Sequence, residues 1–127
     1  MAPERFTFPR RQRLTRSADL ARVYAEGKRI RTRHLDVRGL ASLRTYGRVG
    51  IVVPRFGHSA VDRNTVKRRL RELVRMDLLP GLSRMDLVLK ATPAAYRADF
   101  EALRFDVASV RERTREREAG TPAPGST

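Results

Sequence analysis

The chain has no cysteine, so it can form neither a disulfide nor a thiolate metal site, and it has no cysteine nucleophile. Its two histidines, His34 and His58, cannot complete a structural zinc site by themselves. No apolar run approaches the length that crosses a membrane, and no secretory signal is recognisable near Met1. We therefore expect a small soluble cytoplasmic domain with no membrane partner and no metal site of its own.

Acidic residues are also scarce, because the 127 residues include 28 Lys+Arg against 14 Asp+Glu, for a net charge of +14. The excess lies in three segments, residues 1–16, 28–48 and 63–75, whereas residues 97–118 pair six basic with six acidic side chains. With 40% hydrophobic residues the chain can still form a core. Such an uneven distribution indicates a binding face for a polyanion, of which nucleic acid is the commonest.

The pattern of apolar residues predicts one α+β domain with no internal repeat. Ser17 is a plausible N-cap for a first helix that stops at Gly27, and either Asp62 or Asn64 can cap a second that ends near Pro80. We predict strands over residues 34–43, 48–53 and 85–91, and a long third helix that begins at Thr92 and Pro93. The passage from 48 to 91 could form a parallel strand–helix–strand crossover.

Three divisions of the chain follow from these patterns. Residues 1–12 are predicted to be a basic extended arm, residues 13–118 a nucleic-acid-binding α+β domain, and residues 119–127 a disordered tail rich in proline and small residues.

The second predicted helix has one apolar side and, next to it, a line of basic side chains. At about 100° per residue, one sector holds the apolar residues expected in the core: Val66, Leu70, Leu73, Val74 and Leu78. Along the edge of that sector runs a cationic line formed by Lys67, Arg71 and Arg75, with Asn64 and Arg68 beside it. A solvated helix face is the alternative, but such a face normally mixes signs and Glu72 is the only acid nearby. Arg63 at the helix start would also favour phosphate.

The segment RNTVKRRLRE, residues 63–72, resembles the basic motif of the bacterial ribonuclease P protein component, R-N-R-x-K-R-x-x-R-E. Three further segments are similar to the family's pattern in the same order: RLTRSADLARVYAEGKR, RVGIVVPRFGH and DLVLKATPAA. Two departures stand out, because Thr65 replaces the second arginine of the basic motif and Leu20 stands where phenylalanine is usual.

This resemblance implies an α-β-β-β-α-β-α sandwich in which a left-handed crossover carries the basic helix. It implies a subunit of a ribonucleoprotein endonuclease whose catalytic RNA, using magnesium, removes the 5′ leader of precursor tRNA. The protein side chains themselves would bind no cofactor. The residues expected to contact RNA from the basic helix are Arg63, Asn64, Lys67, Arg68, Arg71 and Arg75. The candidates for a leader cleft between the first helix and the sheet are Leu20, Tyr24, Arg33, Arg38 and Arg55. Further RNA contacts are expected from Arg11, Arg13 and Arg16.

Some of these assignments have alternatives in the sequence itself. Tyr24 could equally be an edge of the first helix's core stripe, and Arg38 a solvent-facing strand residue. His34 and His58 lie in no acid–base constellation, so we expect no catalytic residue on the chain.

Two other functions compete with the ribonuclease P interpretation. A basic ribosomal-type RNA-binding protein would share the size and charge of this chain. A DNA-binding module is disfavoured, because a strand and a loop with Pro54 precede the basic helix instead of a helix-turn-helix partner.

Overall fold

The computed structural model describes residues 7–82 and 84–120 of the chain. In chain order the main elements are α1 (Ser17–Glu26), β1 (Lys28–Arg31), β2 (Leu35–Ala41), β3 (Arg48–Val52), α2 (Ala60–Leu73), β4 (Met85–Ala91) and α3 (Phe100–Gly120). This order confirms the expected α-β-β-β-α-β-α fold.

The four strands form one sheet in the order β1-β2-β4-β3. β4 lies antiparallel to β2 and parallel to β3, so β3, α2 and β4 form the anticipated parallel crossover. The segment before α1 pairs with the outer edge of β3, where the Leu14 amide donates to the Val49 carbonyl at 2.9 Å. This pairing places the N-terminal segment beside the crossover helix.

The sheet separates two layers of helices. On one face, Leu87 and Leu89 join the core formed with α2 and α3, while on the other face Val88 packs with Leu14 and Val23 beneath α1. The residues assigned to the buried sector of the basic helix are all at most 3% exposed, which confirms the wheel: Val66, Leu70, Leu73, Val74 and Leu78.

The ends of the first two helices differ from the sequence prediction. Ser17 is the first residue of α1 and not its N-cap. α2 begins earlier than expected because the Ser59 hydroxyl, rather than Asp62 or Asn64, caps it by accepting from the Asp62 amide at 3.1 Å. A π-helical turn and a 3-10 turn then carry the chain to Gly81, where the predicted break occurs.

The last helix was predicted too long at its start. Residues Pro93–Arg97 form a separate 3-10 turn, and α3 begins at Phe100, with the Asp99 carboxylate accepting from the Ala102 amide at 2.8 Å. The helix continues to Gly120, so it includes the first two residues assigned to the tail, and residues 121–127 lie outside the described residues.

Part of the expected N-terminal arm packs against the domain. Residues 1–6 lie outside the described residues, but Phe8 belongs to the core with 8% exposure, and Arg10–Gln12 form a 3-10 turn.

The sequence did not predict β1, which follows α1. This strand has a single apolar residue, Ile30, so the periodicity of apolar residues did not reveal it.

Gly27 brings α1 close to the sheet. A side chain there would collide with the Val23 carbonyl and stand 3.0 Å from the Gly39 carbonyl, although the φ of −75° suits any residue. The glycine is therefore required by close approach and not by backbone handedness. In the part of the chain that the structure describes, no helix combines the length and the apolar character needed to span a bilayer.

Candidate nucleic-acid interface

The sheet face beneath α1 carries a row of polar and cationic side chains. The row runs across the four strands through directly opposed residues: Arg31, Asp36 and Lys90, ending at the apolar Val52. Because opposed residues share a face, they project on the same side as Val88, towards α1. Arg38 lies opposite Val88 in the neighbouring row.

Tyr24 closes this face from α1. Its half-buried ring has the Arg38 guanidinium carbon at 5.7 Å and the Lys90 Nζ at 6.0 Å from the ring centre, and Arg38 also donates to the Tyr24 carbonyl at 3.0 Å. Burial raises the pKa of the Tyr24 hydroxyl; the charge of Asp36 adds to this and that of Arg38 opposes it. Among the described residues the buried hydroxyl has no hydrogen-bond partner. The feature offered to a ligand is therefore an aromatic ring with two cations close to it, at 5.7 and 6.0 Å from the ring centre.

A separate groove of about 270 Å³ lies at the outer edge of β3. Leu20 is common to both regions, because it packs against the same cluster under α1 as Tyr24 does and also lines the groove. Lys67 and Arg71 of α2 line the opposite wall, and Arg13 lines it from the N-terminal segment. Residues from two of the three basic segments, 1–16 and 63–75, thus line one groove.

The cations of α2 have different surroundings. The Arg63 Nε donates to the Val53 carbonyl at 2.8 Å, which fixes Arg63 where β3 leads into α2. Arg75 binds Glu72, and this hydrogen bond lowers the pKa of the Glu72 carboxyl. Lys67, Arg68 and Arg71 form no ion pair with any side chain that the structure describes, and Asn64 is exposed beside them. These three cations are the ones available to a polyanion.

Two of the leader-cleft candidates lie elsewhere. Arg33, which the resemblance places in the leader cleft, lies in the turn before β2 and lines a separate pocket with Arg97. Arg55 is exposed in the loop after β3, next to Phe56 at a φ of 50°. That loop is tied down by Tyr96, whose hydroxyl donates to the Pro54 carbonyl at 2.6 Å.

The remaining arginines before α1 are spread over its approach. Arg13 donates to the Phe8 carbonyl at 2.9 Å, and the Arg11 guanidinium carbon lies 5.4 Å from the centre of the Tyr46 ring. Arg16 is exposed at the start of α1.

Lys90 is a cleft residue that the sequence analysis missed. The alternation of β4 places it on the same face as Asp86 and Val88, and that pattern was the available signal. Only the pairing of β4 with β2 and β3 puts it beside Tyr24, because those partners are distant in sequence.

A largely buried group of charged side chains, Arg48, Asp86 and Asp19, connects α1 to the sheet next to the cleft. Arg48 donates to both oxygens of Asp86, at 3.0 and 2.8 Å, and this hydrogen bonding raises the pKa of the guanidinium. Asp19 of α1 lies 3.3 Å from the same guanidinium, so the group connects α1 to β3 and β4. Within residues 7–82 and 84–120, no cluster of three His, Asp or Glu side chains could hold a metal ion.

Comparison with known proteins places this arrangement in context. The family model described as Ribonuclease P matches residues 8–115. The ribonuclease P protein component of Pseudanabaena sp. is 36% identical over 104 residues, covering 80% of this chain and 90% of that protein. The corresponding protein of Kocuria rhizophila is 38% identical over 102 residues, with coverage of 80% and 90%.

Solved structures give the same match. The RNase P protein from Thermotoga maritima superposes with a TM-score of 0.70 at 27% identity, over 80% of this chain and 96% of that one. The RNase P protein of Staphylococcus aureus superposes with a TM-score of 0.74 at 23% identity, over 81% and 94%, which shows the shared fold.

Proposed function

The chain belongs to the bacterial ribonuclease P protein family, and from this membership we propose that it binds a catalytic RNA with α2 and the 5′ leader of precursor tRNA under α1. As a family member it is a subunit of the ribonuclease P ribonucleoprotein and acts in the 5′ maturation of tRNA. The division of contacts between two RNAs is the proposal.

The observation that carries the leader assignment is the half-buried Tyr24 ring with Arg38 and Lys90 close to it. A single strand that is bound without sequence preference needs cations for its phosphates and an aromatic surface for its bases. The cleft supplies both, and Leu20 is common to the cleft and the groove lined by Lys67 and Arg71. A strand lying under α1 would therefore lie close to the cationic surface of α2.

We propose that the RNA subunit, with magnesium ions, carries out the hydrolysis. Both histidines of this chain have other partners: the His34 Nδ1 lies 2.8 Å from the Asp106 carboxylate, and the His58 ring stacks on Tyr96 at 3.9 Å. The role supported for the protein is to bind phosphates, which reduces repulsion between the RNAs and positions the substrate.

Reconstitution tests this function directly. The purified chain is combined with a bacterial ribonuclease P RNA at low magnesium, precursor tRNA is added, and release of the leader is followed on a gel. We expect faster leader removal than with the RNA alone at the same magnesium concentration. An unchanged rate would contradict the proposed contacts with the catalytic RNA and the leader.

Replacement of Tyr24 tests the leader cleft. Because stacking on an aromatic side chain contributes about 1–3 kcal/mol per base, we expect Tyr24→Ala to weaken binding of leader-bearing precursor about 5- to 150-fold. Affinity for mature tRNA should not change, since that RNA has no leader.

Tyr24→Phe is the matched control for this experiment. It keeps the ring and removes a hydroxyl that has no hydrogen-bond partner among the described residues, so precursor affinity should stay as in the wild type. Equal losses for precursor and mature tRNA in Tyr24→Ala would show that the ring acts on stability and not on the leader.

A further inference from the structure

A second pocket, of about 220 Å³, lies at the turn between β1 and β2 and is lined by Arg33, His34, Ala94 and Arg97. We propose that it binds one phosphate group of the RNA subunit. The identity of that RNA rests on the function proposed above, whereas the affinity for phosphate rests on the pocket alone.

The charge of the pocket points to an anion. Neither the Arg33 nor the Arg97 guanidinium has a hydrogen bond or an ion pair with any side chain or backbone group in the described part of the chain. Asp106, which contacts His34 of the lining, is 5% exposed, accepts from the His34 amide at 2.9 Å and lies 2.8 Å from its Nδ1. Two exposed arginines thus line one small cavity, and neither is paired with a carboxylate among the described residues. The planar fork of a guanidinium suits phosphate oxygens.

The backbone that carries these side chains is held in place before any ligand binds. The Thr92 hydroxyl donates to the Arg33 carbonyl at 2.8 Å, and the Thr92 amide donates to the His34 carbonyl at 3.0 Å. Asp106 fixes His34 from α3, so that Nε2 is the ring nitrogen left for a ligand. A preformed site loses less conformational entropy on binding, which favours specific occupation over diffuse attraction.

The size and position of the pocket select the ligand. The pocket volume of about 220 Å³ is below the range of pockets that hold cofactors. Among the described residues, its lining consists of two arginines, one histidine and Ala94, so it offers little apolar surface to a larger organic ligand. Asp106 and the 3-10 turn Pro93–Arg97 place it in the layer of α3, on the opposite side of the sheet from the Tyr24 cleft. A leader under α1 would have to pass around the end of the sheet to reach it, so the RNA subunit is the better-placed source of the phosphate.

Titration with inorganic phosphate tests the pocket itself. We expect the arginine Nε–Hε NMR signals of Arg33 and Arg97 to shift together on addition of phosphate, and not on addition of chloride at equal ionic strength. Arg97→Ala should abolish the response of Arg33. Phosphate that leaves both signals unmoved, or moves them no more than chloride does, would overturn the proposal, whether or not the protein activates an RNA.

Binding of ribonuclease P RNA tests the assigned source. In the Arg33→Ala/Arg97→Ala variant, we expect an affinity about fivefold to tenfold weaker at ~0.1 M salt and a log–log salt slope smaller by about 0.7–0.9, the value for one phosphate. Discrimination between precursor and mature tRNA should be unchanged. Arg44→Ala/Arg84→Ala is the control, because both arginines are exposed and their removal changes the net charge equally.

The outcomes of the two measurements separate the proposals. If phosphate binds but the double variant behaves like its control towards RNA, the pocket takes a free anion and the RNA assignment is wrong. If the variant instead loses discrimination for the leader, the phosphate belongs to the leader and not to the RNA subunit. If the wild type binds no ribonuclease P RNA at all, the proposed function fails, while the phosphate titration still decides on the pocket.

Discussion

Replacing Lys67, Arg68 and Arg71 together by alanine is expected to weaken binding of ribonuclease P RNA roughly 100- to 500-fold at ~0.1 M salt. Each phosphate contact contributes about 0.7–0.9 to the slope of log affinity against log salt, and three contacts contribute about 2.1–2.7. A purely electrostatic contact loses its effect near 1 M salt. Over the tenfold range from 1 M down to ~0.1 M salt, a slope of about 2.1–2.7 therefore corresponds to a change in affinity of roughly 100- to 500-fold. None of the three cations is paired with an acidic side chain in the described structure, so no competing ion pair reduces the effect.

A matched variant removes the same charge from another surface. Arg104, Arg113 and Arg115 lie on α3 and are exposed, and Arg104 and Arg115 face the acids Asp77 and Glu112. Their joint replacement by alanine should change the slope by less than one unit. Binding is measured by filter retention between about 0.1 and 0.5 M salt. Equal slopes for the two variants would mean that net charge, and not the α2 surface, determines RNA binding.

The sequence predicted the elements whose burial repeats regularly. In α2 the apolar residues recur at helical spacing and β4 alternates, so the positions of Leu70 and Leu87 followed from local pattern alone. The sequence did not predict β1, because a strand at the edge of a sheet needs little burial and Ile30 is its one buried residue. The break before α3 escaped because Thr92 and Pro93 are a typical helix start, while the actual start depends on Asp99.

The candidate site was predictable only where neighbours in sequence are neighbours in space. Lys67 and Arg71 share one side of a helix, so the wheel placed them in one cationic line, and the structure adds that both line the groove. Lys90 reaches Tyr24 through strand pairing, and Arg33 meets Arg97 across a turn and a distant 3-10 segment. No local pattern encodes such contacts, so the division of the basic residues between a cleft and a separate pocket required the three-dimensional structure.

Loss of the Asp86 carboxylate is expected to have the largest effect on stability. Asp86 is fully buried and Arg48 is 6% exposed, and two hydrogen bonds join them. In Asp86→Asn the guanidinium stays buried and keeps only Asp19, at 3.3 Å, as a counterion. Removal of one partner of a buried ion pair typically costs about 3–5 kcal/mol. We expect a loss of that size in the free energy of unfolding, measured with urea at pH 7. Because Asp19 also approaches Arg48, the variant should loosen the attachment of α1 above the leader cleft.

Two comparisons identify the cause of that loss. Asp36→Asn breaks a pair with Arg29 that has the same two-bond geometry but is exposed, so it should cost at most about 1 kcal/mol. Arg29 lowers the pKa of Asp36 through this hydrogen bond, and the small stabilisation therefore disappears as the pH falls through the folded-state pKa. The double variant Arg48→Met/Asp86→Leu removes both buried charges and should recover most of the stability lost in Asp86→Asn. If the double variant is no more stable than Asp86→Asn, the loss of stability arises from packing around β4. If the double variant regains the lost stability, the loss in Asp86→Asn was caused by the buried arginine left without Asp86. The ion pair would then hold α1 in place without adding net stability.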